Sequence, residues 1–144
     1  MSIESILRRK GHPDVTTIGP EANIKTAAGW LRAKNIGALV VTGGNAVIGL
    51  ISEREIVDAF FHHGEAAGSM LVKEIMQHGV TAVSPDESVT RVMKLMTNQR
   101  MRHLPVILAG KLIGIVSIGD VVRYRLEELE LETNVLRDVY NTSR

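Results

Sequence analysis

Three short stretches of this 144-residue chain carry side chains able to do chemistry. The first is Gly114-Ile-Val-Ser117-Ile-Gly-Asp120. An apolar strand that ends at Ser117 and turns directly into a helix leaves unpaired backbone N–H groups at the junction, and such a helix start favours anions. Asp120 then sits one turn in, with Gly119 leaving room for close approach. Its carboxylate can accept two hydrogen bonds from a cis-diol, which is what a ribose offers. The same Ser-x-x-acid spacing is also the capping box of an ordinary helix, which satisfies backbone donors and nothing else. The second stretch, Ser52-Glu-Arg-Glu55, repeats the pattern with glutamate. Glutamate is the preferred acid of a capping box, and its longer side chain would have to fold back to hold a diol. Arg54 beside it could reach a phosphate or pair with a surface carboxylate. The third is Arg102-His103, a cationic pair at the start of a strand, suited to phosphate if it lies beside a helix N-terminus. Solvated strand-end residues would look the same.

These stretches are positioned by an internal repeat. Residues 15–57 align with residues 80–122 without a gap at an offset of 65, and nine of the 43 positions are identical. They include Val15/Val80, Thr16/Thr81, Pro20/Pro85, Ile48/Ile113, Gly49/Gly114 and Ser52/Ser117. A preceding element recurs as well, since Glu4-Ser-Ile-Leu7 resembles Lys73-Glu-Ile-Met76. Each copy opens with a short extended piece, Val15–Ile18 or Val80–Val83. Apolar residues at i, i+3, i+4 and i+7 follow, Ile24/Ala27/Ala28/Leu31 and Val89/Val92/Met93/Met96, and predict amphipathic helices. Two strands come next in each copy, Ala38–Thr42 with Ala46–Ile51 and His103–Leu108 with Lys111–Val116. Gly43-Gly44-Asn45 and Ala109-Gly110 supply the turns. A second helix starts after Ser52 or Ser117. The fold class is therefore α/β (α+β), two β-α-β-β-α units packed sheet to sheet about a pseudo-twofold axis, because about fifty residues cannot bury their own sheet. The expected divisions are residues 1–67, 68–125 and a helical extension over 126–144.

Composition removes whole classes of function. Cysteine is absent, which excludes disulfides, thiolate catalysis and cysteine zinc sites. Seventeen basic against sixteen acidic residues give no pull towards nucleic acid or anionic membrane. The five histidines show no metal-ligand spacing, and neither a nucleophile–base pair nor a paired-acid geometry is visible, so no metal and no catalytic residue is expected. The longest apolar runs fall far short of the ~20 residues that span a bilayer, and the first ten residues hold no signal-peptide hydrophobic stretch, so a cytoplasmic protein is expected.

The repeat order, the Gly-aliphatic-aliphatic-Ser-x-x-acid ending and the strand Arg102-His-Leu-Pro-Val106 resemble the CBS (cystathionine β-synthase) domain family, from about Ile3 to Arg125. The resemblance implies a stand-alone tandem pair, a regulatory module and not an enzyme, needing no cofactor. It implies that Ser117 and Asp120 contact the ribose or phosphate of an adenosine nucleotide. With no aromatic nearby for stacking, Thr81, Ala82 and Val83 with Pro105 and Ile118 are the expected adenine walls, and Arg102 and His103 would meet the phosphate of either copy's site. Thr16, Ser52, Arg54 and Glu55 are the corresponding weaker candidates in the first copy. AMP fits a single cationic cluster best, with ADP, ATP, NAD and S-adenosylmethionine as alternatives. A homodimer and an unknown protein partner are also implied. The rival reading is a ligand-free interaction scaffold. In the extension, Val122, Leu126, Leu129, Thr133, Leu136 and Tyr140 form a heptad-like seam that either folds back over the module or clamps a dimer.

Overall fold

Helices form where the apolar stripes predict them, and strands where the hairpins do. The computed structural model describes Met1–Ser143; Arg144, the last residue of the expected extension, lies outside the described residues. The elements run α1 (Ile3–Arg9), β1 (Thr17–Ile18), α2 (Ile24–Lys34), β2 (Ala38–Gly43), β3 (Ala46–Ser52), α3 (Glu53–His63), α4 (Val72–Ile75), α5 (Val89–Gln99), β4 (His103–Leu108), β5 (Lys111–Ser117) and α6 (Ile118–Thr142). A 3-10 turn over Gly64–Ser69 joins α3 to α4. Side chains cap both stripe helices: Asn23 accepts from the Thr26 N–H, and Ser88 from the Arg91 N–H. Both end on a left-handed residue, Asn35 (φ 52°) and Arg100 (φ 53°).

The first repeat holds a three-stranded sheet, β1 parallel to β2 and β2 antiparallel to β3; the second holds the antiparallel pair β4–β5. Two extended pieces come out shorter than expected. Only Thr17–Ile18 of the first pairs as a strand, and in the second only Val83 bridges to Val106. Gly43 belongs to β2, so the first turn is Gly44-Asn45. In the second turn Ala109 (φ 50°) and Gly110 (φ 77°) are both left-handed, as a tight hairpin requires.

The cores do not follow the order of the chain. Ile3, Ile6 and Leu7 of α1 pack into the core of the second repeat, with Val89, Val92, Met96, Leu104, Val116 and Val121. Val72 of α4 and Met76 pack into the core of the first, with Ile24, Leu31, Leu39 and Ile51. Backbone bonds fix the exchange: Ile3 and Glu4 N–H groups donate to Glu87 and Pro85 carbonyls, and Val72 and Lys73 N–H groups to Ala22 and Pro20. Each exchanged element passes over a glycine of the neighbouring strand. A Cβ on Gly114 would lie 2.6 Å from Leu7 Cδ2, and one on Gly49 2.6 Å from Met76 Sδ and 2.8 Å from the Gln77 carbonyl. A third cluster, Ala38, Val40 and Leu50 with Val15, Val80, Leu112 and Ile115, joins the two sheets.

The C-terminal seam does not fold back. Val122, Leu126, Leu129, Leu136 and Tyr140 are all exposed along α6, as are Val57, Phe60 and Phe61 on α3. No helix of the described residues is long and apolar enough to cross a membrane.

Candidate functional site

Two cavities lie between the repeats, and each draws on both. The smaller, about 330 Å³, is lined by Ser117, Asp120, Gly114 and Ile115 of the second repeat, by Val15, Thr16 and Asn35–Ala38 of the first, and by Lys10 at the end of α1. The larger, about 440 Å³, is lined by Ser52, Glu53, Arg54, Val57 and Asp58 of the first repeat and by Gln77 and Arg100–His103 of the second. Gly37 and His103 line both. The cavities are thus related by the offset of 65, each pairing one repeat's strand-to-helix junction with the loop that enters the other repeat's hairpin.

That geometry rearranges the expected site. Thr16, and not Thr81, lies in the cavity of Ser117 and Asp120. Thr81, Ala82, Val83, Pro105 and Ile118 line neither cavity. Thr81 donates instead to Gln99, Val83 is in the second core, and Pro105 is buried. Arg102 belongs to the cavity of Ser52 and Arg54. The pseudo-twofold axis is expected from the repeat; what the sequence leaves unread is the pairing it imposes, which brings the loop before one hairpin to the junction after the other.

The two acid positions differ in what is already bound to them. Ser117 and Asp120 form a reciprocal cap: the Ser117 N–H donates to Asp120 Oδ2 at 3.0 Å, and the Asp120 N–H to Ser117 Oγ at 3.1 Å. Lys10 Nζ also donates to Asp120 Oδ2, at 2.8 Å, and to the Ile115 carbonyl at 2.9 Å. Asp120 Oδ1 has no hydrogen-bond partner among the described residues. Burial pushes the Asp120 carboxyl up, but the bonds from Lys10 and Ser117 outweigh it and hold it below the ordinary carboxylate value. Asp120 is therefore an anion at neutral pH with one acceptor free. At Glu55 both oxygens are taken: Oε1 by the Ser52 N–H and hydroxyl, each at 2.7 Å, and Oε2 by Gln77 Nε2 at 3.1 Å. Glu55 caps α3 and also ties it to the segment after α4.

His103, opposite Ser117 in the β4–β5 register, stands at the wall between the cavities. Its Nε2 would lie 3.0 Å from a Cβ on Gly37, so glycine makes room for the ring. Burial lowers its pKa, outweighing the attraction of Asp120, Glu53 and Glu55, with Arg102 lowering it further. At neutral pH it offers either cavity an uncharged imidazole.

A family model described as the CBS domain matches residues 3–62 and 72–127. A mitochondrial CBS domain-containing protein of Arabidopsis thaliana is 41% identical over 99 residues, which is 65% of this chain and 48% of that protein. The chain thus spans about half the length of that relative. A crystal structure of a CBS-domain containing protein from Agrobacterium tumefaciens has a TM-score of 0.83 and 40% identity, covering 87% of this chain and 99% of that one. A CBS domain pair solved with 5′-methylthioadenosine and S-adenosyl-L-methionine has a TM-score of 0.77, covering 89% of this chain and 98% of that one. At 23% identity that likeness is one of fold. Two matched segments that track the internal repeat show that the chain belongs to the CBS-domain family of regulatory modules, as a tandem pair.

Proposed function

We propose that this pair is a cytoplasmic regulatory module that binds one adenosine nucleotide of the AMP type in the smaller cavity. The observation that carries the reading is an ionised Asp120, its Oδ1 without a partner among the described residues, in the lining of a cavity between the repeats at the start of α6. A ribose hydroxyl donates there. Thr16 and the Asn35–Ala38 backbone line the opposite wall, where an adenine edge can be read by backbone groups. Lys10 is the one cation in this lining, and His103 adds a neutral donor, which suits a short phosphate better than a long one. That a pair of the same fold was solved with 5′-methylthioadenosine and S-adenosyl-L-methionine supports the ligand class. Binding acts on a partner only through differential affinity for two states of the module. The exposed apolar faces of α3 and α6 support a homodimer as the assembly through which that difference is expressed, and leave surface for a further protein partner.

The test is thermal unfolding with AMP, ADP, ATP, NAD and S-adenosylmethionine, run beside Asp120→Ala and Asp120→Asn. Ligand at 100 times its dissociation constant adds about 2.7 kcal/mol. A shift in the wild type that both variants lose supports the reading, provided their unfolding without ligand remains cooperative. A shift that survives in the variants reduces Asp120 to a helix cap. The same exposed apolar faces favour a second reading, a ligand-free scaffold, which a lack of any shift would select.

A further inference from the structure

The larger cavity differs in kind from its counterpart. Three guanidinium groups line it, Arg54, Arg100 and Arg102, and none has a carboxylate within ion-pair distance among the described residues, although Glu53 and Asp58 share the lining. At the positions 65 residues away stand Gly119, Asn35 and Gly37. The cations are therefore a feature of this cavity alone and not of the repeat. Arg100 also occupies the left-handed cap of α5 (φ 53°, ψ 40°), a conformation that suits the asparagine found at the end of α2 and is costly for arginine. A strained residue that persists where a better one is available points to a function for its side chain. Glu55, the counterpart of Asp120, lies outside this lining and has both oxygens engaged by Ser52 and Gln77, so it offers no acceptor to a diol here.

From these observations we propose that the larger cavity is an anion site for a chain of two or more phosphoryl groups, held by Arg54, Arg100 and Arg102 without recognition of a sugar. Each guanidinium presents two parallel donors. Three such forks match the six terminal oxygens of a diphosphate and exceed the three of a phosphate monoester. His103, neutral and at the wall shared with the smaller cavity, adds a hydrogen bond without a charge. This site is independent of the ribose role of Asp120. Its occupant is either free diphosphate or the phosphate tail of a nucleoside diphosphate whose nucleoside lies elsewhere.

The experiment is calorimetric titration of the full chain with inorganic phosphate, pyrophosphate, AMP and ADP. It is run on the wild type, Arg100→Asn, Arg102→Gln and Asp120→Ala. Arg100→Asn places in α5 the residue that already caps α2, so the fold is kept. Pyrophosphate is expected to bind at least tenfold more tightly than phosphate, and to lose about tenfold in each arginine variant. Pyrophosphate binding that ignores Asp120→Ala assigns the site to the free anion. ADP binding that falls in both the arginine variants and Asp120→Ala assigns it to a nucleotide tail. Affinities for pyrophosphate and ADP that the arginine variants leave unchanged overturn the proposal. Loss of AMP binding in Asp120→Ala alone bears only on the smaller cavity, so the two readings fail separately.

Discussion

Replacing Lys10 with methionine isolates the ion pair that closes one side of the smaller cavity. Methionine keeps most of the apolar stem and removes the ammonium, which donates to Asp120 Oδ2 at 2.8 Å and to the Ile115 carbonyl at 2.9 Å. The side chains of Lys10 and Asp120 are 25% and 13% exposed, so the pair is neither free in solvent nor fully withdrawn from it. A charged hydrogen bond contributes roughly 1.5–3 kcal/mol, and exposed pairs 0–1. Because Asp120 keeps the Ser117 N–H, a loss of about 1 kcal/mol at pH 7 is expected, or roughly 3 °C in Tm for a chain of this size. Its pH dependence follows from the depressed carboxyl of Asp120. The unfolded chain takes up this proton more readily than the folded one. The stabilisation is therefore complete above the unfolded value, near pH 4, and is lost as the pH falls through the folded value. Urea unfolding of wild type and variant between pH 7 and pH 3 should show curves about 1 kcal/mol apart at neutrality that converge in acid. A difference that persists once acid has protonated the carboxyl in the folded state would mean that the stem and not the charge is what matters, and the account of Asp120 as a held anion would fall.

Other expectations concern the crossing points, the cap and the assembly. Gly49→Ala should cost about 2–3 kcal/mol in chemical denaturation, because the new methyl meets the Gln77 carbonyl at 2.8 Å. Gly114→Ala should cost less, since its nearest neighbours belong to the Leu7 side chain, which can turn; equal losses would show that Leu7 is held as rigidly as backbone. Glu55→Ala should lower stability by about 1–2 kcal/mol by releasing Ser52 and Gln77, yet leave AMP affinity within twofold by calorimetry. Leu126→Glu with Leu129→Glu should convert a dimer to a monomer in sedimentation analysis without changing the Tm of the monomer; an unchanged sedimentation coefficient would remove α6 from the interface.

Much of this molecule can be read from its residues, and the unread part has a common cause. Stripes such as Val89, Val92 and Met96 state that a face is buried, and turns such as Ala109-Gly110 state where a hairpin closes, because both are local. Ile3, Ile6 and Leu7 likewise say that α1 buries a face, but not that its partner is the second repeat. Nothing in the sequence links Lys10 to Asp120 across 110 positions. Thr16 and Thr81 are identical in type, and only the packing of the dyad decides which of them lies beside Asp120. The extended piece at Val80–Val83 pairs only at Val83, whose N–H donates to the Pro105 carbonyl and whose carbonyl accepts from the Ile107 N–H.

The exchange of α1 and α4 has a consequence for how the chain is made. During synthesis α1 emerges before either repeat, yet its buried face waits for Val116 and Val121. At ~5–20 residues per second the ribosome takes roughly 6–20 s to deliver them. The first repeat, by contrast, receives α4 soon after its own strands are complete. The nascent chain thus carries a sticky amphipathic segment past a half that can already close without it. Completion runs backwards along this part of the polypeptide, with α1, translated before both repeats, being among the last elements to dock.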